Sequence, residues 1–210
     1  IKFQDLNQKE LMSQPKIKKS VLFLGYDNKQ TILIDELIKK DCNVFCFKNK
    51  VENFENYDLV ISFGYRHIIK KEIIEKTKIP IINLHISYLP WNRGSHPNFW
   101  SFFDETPSGV SIHLVDSGID TGPIIAQKVV ILESLKMNFR ESYAILIDEI
   151  EKLFLKNIDQ IINKSFTLKY PEEKGSYHSK SDLPKSFGGW DTNIKKEIFR
   201  LRKLSEKGYL

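Results

Sequence analysis

Short apolar runs alternate with polar, helix-forming segments through the first half of the chain, and this alternation limits the fold more than any other feature. The runs cover residues 20–25, 43–47, 59–63 and 79–84. Runs of this length are typical of strands that are buried on both faces. Helices are favoured between them at residues 29–40, where Ile34, Leu37 and Ile38 have helical spacing, and at residues 70–78. Strands that alternate with helices predict a parallel sheet with right-handed crossovers.

The second half of the chain adds an antiparallel element. Residues 109–115 alternate apolar and polar side chains, residues 124–132 form another apolar run, and the loop between them is short. Helices are predicted at residues 98–103 and, from apolar positions three and four residues apart, at 139–163. The predicted fold class is therefore α/β, with a Rossmann-like, mostly parallel sheet, an antiparallel extension and helices on both faces.

We divide the chain into three parts. Residues 1–17 are a polar N-terminal lead-in without an assigned function, residues 18–165 are the main domain, and residues 166–210 are a small C-terminal extension. The extension should end in a helix that is capped by Asp191 or Thr192. The apolar stripe of that helix would be Ile194, Ile198 and Leu201.

The charge balance argues against nucleic acid as a partner. The chain has 32 basic and 27 acidic residues, a net charge of +5 and a pI near 9.0. A nucleic-acid binder would gather its basic residues on one stripe, whereas here both signs are interspersed. The sequence holds no apolar run near the roughly 18 residues of a membrane span, and it does not start with the apolar core of a signal peptide. We therefore expect a soluble, cytoplasmic protein with no nucleic-acid or membrane partner.

Cys42 and Cys46 are the only cysteines. On one strand they would stand about 13 Å apart, which is too far for a disulfide. No cysteine and histidine pair has the spacing of a zinc finger. The sequence therefore predicts two buried free thiols, as suits a reducing cytosol, and no metal site.

Two polar side chains stand at the end of the fourth predicted strand. Asn83 and His85 are two residues apart, so they share one face of the strand. Ligands of such sheets bind beyond the carboxyl ends of the strands, and the loop at 115–123 can bring the carboxylate of Asp120 to the same place. The tip after the first strand holds one glycine and no phosphate-binding pattern, which argues against dinucleotide or P-loop chemistry.

Together these motifs resemble those of the formyltransferase family that uses N10-formyltetrahydrofolate. An N-x-H motif spans residues 83–85, an S-x-L-P turn follows at 87–90, and a D-x-G-P loop begins at Asp120, 35 positions after His85. The resemblance covers residues from about 20 to 135. It implies the formyltransferase fold for the main domain and transfer of a formyl group from the folate to a primary amine. It requires neither a metal nor a covalent intermediate.

The resemblance also assigns roles to the three polar side chains. Asn83 and a protonated His85 would donate to the formyl oxygen as it becomes negative, and Asp120 would orient the imidazolium and help to move protons. His113 is expected to support the site as a hydrogen-bonded neighbour rather than to act as a catalyst. Taken singly, Asn83 could be a turn residue and Asp120 could close an Asx turn. Their joint spacing favours catalysis.

A folate pocket is implied next to these residues, with an ordinary surface loop as the alternative. It would be formed by the tip after the third strand and by the loop that leads to Asp120. The predicted folate-binding residues are Tyr65, Arg66, His67, Ile68, Asp116, Gly118 and Ile119.

The acceptor is expected to be a nucleotide-linked amino-deoxysugar, such as a dTDP-4-amino-4,6-dideoxyhexose of O-antigen or lipopolysaccharide synthesis. The sequence continues only briefly past the long helix, which argues against a methionyl-tRNA enzyme with its large second domain. The first strand tip lacks the Gly/Ser-rich loop of glycinamide ribonucleotide transformylase. The short sugar N-formyltransferases are the most similar members that remain. Aromatic faces and cations suited to a sugar and a phosphate lie in the loop after the fourth strand. The predicted acceptor-binding residues are Tyr88, Trp91, Asn92, Arg93, His96 and Asn98.

Other functions stay open on the sequence. The same residues could serve a formyltetrahydrofolate hydrolase or a glycinamide ribonucleotide-type transformylase, and a folate- or nucleotide-binding module without activity is a further alternative. A homodimer is an expectation from the family alone. Trp100 could equally pack its helix on the sheet, and the tail residues Tyr170, Tyr177, His178 and Trp190 are candidates for nucleotide contacts that the sequence leaves open.

Overall fold

The computed structural model describes residues 18–208, and a sheet flanked by helices forms its centre. The strands are β1 (Ser20–Gly25), β2 (Asn43–Phe47), β3 (Leu59–Phe63), β4 (Ile81–His85), β5 (Arg93–Gly94), β6 (Gly109–Leu114), β7 (Ile124–Val129) and β8 (Tyr177–His178). The helices are α1 (Leu33–Lys39), α2 (Lys71–Lys76), α3 (Pro97–Phe103), α4 (Phe139–Asn163) and α5 (Ile194–Glu206), with a short 3₁₀ turn at Lys180–Asp182.

The main sheet has six strands in the order β2-β1-β3-β4-β6-β7. Strands β2, β1, β3 and β4 run parallel to one another. Strand β6 is antiparallel to β4, and β7 is antiparallel to β6. Strands β5 and β8 form a separate parallel pair. The predicted fold class, a mostly parallel sheet with an antiparallel extension, is therefore confirmed.

Alternate residues of β1 face two different cores. Val21 and Phe23 join the larger hydrophobic cluster, to which α1 and α4 also contribute. Leu22 and Leu24 join a smaller cluster, against which α2 packs. All four side chains are fully buried, which explains why the run is apolar at every position instead of alternating. Helices cover both faces of the sheet, as predicted.

The long helix α4 begins and ends at the predicted residues. Asn138 caps it, because its side chain accepts from the backbone N–H of Glu141 at 2.8 Å while the Glu141 carboxylate accepts from the N–H of Asn138 at 2.8 Å. This reciprocal pair satisfies two backbone donors that a helix start leaves open. The buried stripe of α4 then covers the larger core with Leu146, Ile150, Phe154, Ile158, Ile161 and Ile162. Phe139, at the start of the helix, belongs to a separate aromatic cluster with Phe99 and Trp100.

One helix start and one side-chain orientation are predicted wrongly. Helix α1 begins at Leu33 because residues 27–31 form a turn, in which the carbonyl of Asp27 accepts from the N–H groups of Gln30 and Thr31 at 2.9 and 3.1 Å. Ile38 faces solvent, since the helix buries only the side on which Leu37 lies.

The cap of the last helix and the state of one thiol also differ from expectation. Asn193 caps α5 by accepting from the N–H of Lys196 at 3.1 Å, whereas Asp191 pairs with Arg140 at 2.7 Å. Cys42 is buried as predicted, but Cys46 is exposed because β2 is the edge strand of the sheet.

The segment after α4 returns along the main body of the protein. Lys169 pairs with Ile124, β8 pairs with β5, and α5 packs against α3. The side chains of Phe99 and Trp100 are buried in this aromatic cluster, so they pack α3 and leave no face for a ligand. A domain boundary at residue 165 stays a prediction, and the lead-in at 1–17 lies outside the described residues. Between residues 18 and 208, no helix combines the length and the apolar character that a membrane crossing requires.

We expect Phe154→Ala to lower the free energy of unfolding by about 3–5 kcal/mol, because it leaves a cavity where a fully buried ring contacts the larger core. Denaturant unfolding followed by circular dichroism measures this change. The matched control is Phe199→Ala, whose ring is exposed on α5 and whose loss should change stability by no more than about 0.5 kcal/mol. Similar losses in both variants would contradict the assignment of the core.

Candidate active site

A cleft of about 640 Å³ opens at the carboxyl ends of β1, β3 and β4. Its wall is built from these strand tips, the β6–β7 loop, the start of α4 and part of the tail. All seven residues predicted to bind folate line this cleft, together with Asn83, His85 and Asp120. The fold thus brings the predicted catalytic and folate-binding residues to one place, while their roles remain predictions.

The carboxylate of Asp120 is the centre of this site. Its Oδ1 lies 3.1 Å from Nδ2 of Asn83 and 3.4 Å from Nε2 of His113. Its Oδ2 accepts from the N–H of Gly94 at 2.9 Å and lies 3.7 Å from Nδ1 of His85. Its backbone has a φ of 51°, in the left-handed region that aspartate adopts more readily than most residues. Groups from β4, β6 and the loop after β4 therefore converge on one largely buried carboxylate.

These neighbours keep Asp120 ionised. Burial raises its pKa, but the rings of His85 and His113 and the N–H of Gly94 outweigh burial, so that the net pKa of Asp120 lies well below its usual range. The amide of Asn83 must turn its NH₂ group toward this carboxylate, because an amide oxygen there would face another acceptor. An aspartate held so firmly in its charged form is a weak base, which leaves proton movement to a neighbour.

His85 differs from the protonated ring that the sequence predicts. Burial lowers the pKa of His85 below its ordinary value of 6.5, and the Asp120 carboxylate at 3.7 Å offsets this only in part. Nε2 of the ring lies 3.3 Å from the carbonyl oxygen of Asn92, while Nδ1 faces Asp120. Both neighbours are acceptors, so a ring that takes up a proton has a partner for each N–H. The free site therefore holds a neutral base whose protonated form already has its partners.

His113 supports Asn83 from the neighbouring strand, where the two residues face each other in the β4–β6 pairing. Nδ1 of His113 lies 2.8 Å from the carbonyl oxygen of Leu114, which accepts from it, and in the tautomer with no proton on Nε2 this nitrogen accepts from Nδ2 of Asn83 at 3.2 Å. With Asp120 as the second acceptor, both N–H groups of Asn83 are engaged. A hydrogen bond from Asn83 to the substrate oxygen, as predicted, requires one of these partners to be exchanged.

The predicted folate-binding loop before Asp120 is shaped by its own side chains. Oδ1 of Asp116 accepts from the N–H of Gly118 at 3.0 Å and from the hydroxyl of Thr121 at 2.6 Å. On the other strand tip, the hydroxyl of Tyr65 donates to the carbonyl of Asn49 at 3.0 Å. Arg66, in contrast, makes no ion pair with any residue between 18 and 208. Its guanidinium is available to an anionic ligand of the cleft.

The six predicted acceptor-binding residues do not line the cleft, and two asparagines among them have structural roles. Nδ2 of Asn98 donates to the carbonyl of Phe139 at 2.9 Å, and its Oδ1 accepts from the hydroxyl of Ser142 at 3.0 Å. The side chain of Asn92 donates to Thr106 at 2.8 Å and is fully buried. Both asparagines thus hold the loop and α3 in place, and they have no free group for a ligand.

The other four members of this set also lie away from the cleft wall. The guanidinium of Arg93 donates to the carbonyls of Ser176 and Lys174 at 3.3 and 3.4 Å, and the ring of His96 tilts against Trp190 with 5.3 Å between centroids. Tyr88 and Trp91 are half-buried in the turn before them. The loop instead presents the small residues Gly94, Ser95 and Pro97 to the cleft.

Several cleft residues are missing from the sequence prediction. The hydroxyls of Tyr26 and Tyr143 lie 2.7 Å apart in the cleft, and burial followed by this hydrogen bond raises the pKa of Tyr143. Tyr26 could have been found, because it directly follows Gly25 at a strand tip. Tyr177, one of the tail aromatics considered for nucleotide contacts, also lines the cleft. Ser179 and Lys180 gave no signal, since the tail has no local pattern that places it near a strand tip.

Comparison with known proteins identifies relatives of this arrangement. Residues 47–144 match the protein-family model described as formyl transferase. Over 132 residues the chain is 36% identical to the dTDP-4-amino-4,6-dideoxyglucose formyltransferase of Mycobacterium tuberculosis, a match that covers 63% of this chain and 55% of that protein. Over 197 residues it is 30% identical to the methionyl-tRNA formyltransferase of Thermodesulfovibrio yellowstonii, covering 90% of this chain and 58% of that protein. The chain spans little more than half the length of these curated relatives.

One solved structure matches this chain over nearly the whole length of the solved protein. The formyltransferase PseJ of Anoxybacillus kamchatkensis superposes with a TM-score of 0.79 and 40% sequence identity, covering 85% of this chain and 97% of that one. PseJ was solved in complex with UDP-4,6-dideoxy-4-formamido-L-AltNAc and tetrahydrofolate. A likely sugar N-formyltransferase of Mycobacterium tuberculosis superposes with a TM-score of 0.71 at 26% identity, covering 90% of this chain and 88% of that one.

The ring of His85 should titrate below pH 6.5, because burial disfavours its charged form. We expect Asp120→Asn to lower this pKa further by removing the attraction of the carboxylate, and Asp116→Asn to leave it nearly unchanged. Ring proton shifts of His85, followed by NMR against pH, measure both effects. A titration of His85 at or above pH 6.5 in the wild type would contradict this account.

The lowered pKa of His85 also predicts how the stability of the protein changes with pH. Since the pKa of His85 is lower in the folded chain than in the unfolded one, the unfolded chain binds more protons as the pH falls below about 6.5. The free energy of unfolding should therefore decrease in this range, and His85→Gln should remove part of the decrease. Urea unfolding at pH 7.5 and 5.5 measures the difference. An identical pH dependence in both proteins would exclude a contribution from His85.

Proposed function

This chain belongs to the formyl transferase family, and on that premise we propose that it transfers a formyl group from N10-formyltetrahydrofolate to the amine of a nucleotide-linked 4-amino-4,6-dideoxysugar. The observation that carries this proposal is the convergence of Asn83, neutral His85 and ionised Asp120 at the wall of a single cleft. The likeness to PseJ supports a UDP-linked sugar as the acceptor, and the likeness to the mycobacterial formyltransferase supports a dTDP-linked one.

The folate would lie along the strand tips that hold the seven residues predicted for it. A folate has a flat, mostly apolar ring system and an anionic glutamate tail. The unpaired guanidinium of Arg66 suits a carboxylate of that tail, and the side chains of Tyr65 and Ile68 offer apolar surface to the rings. Tyr26 and Tyr143, which line the same cleft, extend this surface.

The first chemical step is the attack of the neutral amine nitrogen on the formyl carbon. A C–N bond forms, the C=O electron pair moves to oxygen, and the nitrogen becomes acidic. His85, neutral in the free site, takes this proton, and the carboxylate of Asp120 stabilises the imidazolium that results. The second step breaks the bond between the formyl carbon and N10, and the proton passes from His85 to N10. No atom is added or lost beyond the transferred formyl group and one exchanged proton.

The negative oxygen between these steps needs a donor in the cleft. Asn83 can supply it once His113 or Asp120 releases one of its N–H groups, and the newly protonated His85 is a second candidate once its Nε2–H turns from the carbonyl of Asn92. The proton that His85 takes up at the start therefore serves twice, because it also makes the ring a donor at the moment when the oxygen becomes negative. This order of proton transfers explains why a neutral His85 ring suits the site better than the protonated ring that the motif suggests.

The direct test is an activity assay with four acceptors. Formyltetrahydrofolate is mixed with the protein and with a UDP-linked 4-amino-4,6-dideoxysugar, a dTDP-linked one, methionyl-tRNA or water alone. We expect formylated product from at least one of the two nucleotide sugars. Product from methionyl-tRNA alone, or folate turnover that is independent of any amine, would instead assign a different acceptor to the same chemistry.

We expect His85→Asn and Asp120→Asn each to lower kcat by about 10²–10³-fold, since each removes a group that acts on the reacting atoms. The double variant should be little worse than either single one, because the two residues act as one unit. Asp159→Asn, on the exposed face of α4, is the matched control and should keep full activity. Multiplicative losses in the double variant would refute the coupling of His85 and Asp120.

A further inference from the structure

The tail runs beside the active-site loop and forms part of the cleft. The N–H of Ser176 donates to the carbonyl of Pro90 at 3.2 Å, the N–H of Arg93 donates to Ser176 at 3.0 Å, and the N–H of Ser95 donates to His178 at 2.8 Å. These bonds fix β8 along the whole loop. We call Tyr177, Ser179 and Lys180, which line the cleft from this segment, the tail wall.

His178 anchors the tail wall on the body of the protein. Its ring stacks on Trp100 with 3.8 Å between centroids and 5° between planes. Its Nε2 lies 2.7 Å from Oδ2 of Asp104 at the end of α3. With His178 held from two sides, the residues on either side of it have a fixed position at the cleft.

The ring of Tyr177 lies next to the reacting centre. A Cβ built on Gly94 would come within 2.8 Å of this ring, so the ring packs directly over that glycine. The N–H of the same glycine donates to Oδ2 of Asp120 at 2.9 Å. A sugar whose amine lies beside Asp120 and His85 would therefore come close to the ring of Tyr177.

Lys180 brings an unpaired positive charge to the same part of the cleft. It makes no ion pair with another residue of the 18–208 segment, and it lines the cleft from the tail, whereas Arg66 lines it from the loop after β3. The two cations thus serve different regions of the cleft. Of the carboxylates in its wall, Asp116 is already engaged by a donor of its own loop, and Asp120 by the N–H of Gly94 from the loop after β4.

We propose that the tail wall is the acceptor-recognition site, in which Tyr177 packs against the sugar and Lys180 binds the diphosphate that links it to the nucleoside. This inference rests on the proposed function. In a 4-amino-4,6-dideoxyhexose the amine on C4 and the phosphate on C1 lie across the ring from each other. Tyr177 packs over Gly94, whose N–H donates to Asp120, and Lys180 follows three residues later on the same tail wall. This arrangement suits an amine at Asp120, the sugar at Tyr177 and the phosphate at Lys180.

The test begins with UDP and dTDP as probes, which carry the diphosphate but neither sugar nor amine. We expect Lys180→Ala to raise the Kd of the better-bound probe about tenfold in calorimetry, and Lys180→Arg to retain most of the affinity. Higher salt should weaken binding to the wild type more than to Lys180→Ala. Lys185→Ala, an exposed tail lysine outside the cleft, is the matched control and should bind as the wild type does.

Steady-state kinetics complete the test. Lys180→Ala should raise KM for the nucleotide sugar about tenfold with little change in kcat, because the diphosphate contact is the same before and during the reaction. KM for the formyl-folate should not change. Tyr177→Ala should raise KM for the nucleotide sugar more than it raises the Kd of the free nucleotide.

The outcomes separate this inference from the proposed function. If the wild type formylates a nucleotide sugar while Lys180→Ala leaves both KM and Kd unchanged, the tail-wall assignment is overturned and the proposed function stands. A rise in KM for the folate instead of the sugar would overturn it as well. If the wild type formylates neither nucleotide sugar, both proposals fail.

Discussion

The site depends on one buried carboxylate. Asp120 can be buried in charged form only because donors from β4 and from the loop after it meet its two oxygens, with the rings of two histidines close by. An isolated carboxylate in this position would lose several kcal/mol of hydration, so the loop, the strand ends and the carboxylate stabilise one another. Gly94 belongs to this arrangement as much as the polar side chains do. Its N–H ties the active-site loop to Asp120, and the tail follows that loop through β5 and β8.

The same carboxylate gives His85 its character. Burial alone would make the ring a weak base, and an exposed carboxylate alone would leave it protonated at neutral pH. Here burial has the larger effect, so the ring is neutral, and Asp120 remains close enough to stabilise a proton once one arrives. A general base must first be neutral, so that it can accept a proton, and must then be stabilised once it carries that proton. The pair achieves this without placing a permanent positive charge in the cleft, where it would repel the amine as long as that amine is protonated.

The sequence predicts correctly those features that neighbouring residues determine, and it fails for features that depend on contacts between distant parts of the chain. The sheet follows from apolar runs and the site from Asn83 and His85 at a strand end, because both depend on strand geometry that neighbouring residues determine. Asn98 looked like a ligand-binding amide in an aromatic loop, yet its partner Ser142 lies 44 positions away on α4. Nothing near Asn98 encodes that contact. The edge position of β2, which exposes Cys46, likewise depends on strand order and not on the residues of the strand.

The position of the tail is the hardest feature to predict from neighbouring residues. It also suggests which parts of the chain carry the chemistry and which choose the acceptor. Strand β8 has two residues and exists only because β5 offers it a partner more than eighty positions earlier in the chain. The family match over residues 47–144 contains Asn83, His85, His113 and Asp120, but it ends before the tail wall. Chemistry that is common to many acceptors therefore sits on the sheet, where its geometry is rigid. The segment outside that match is attached through backbone hydrogen bonds and through the side chain of His178, so Tyr177 and Lys180 can change without disturbing Asp120. If the tail wall recognises the acceptor, as we propose, such changes would alter the acceptor and leave formyl transfer itself intact.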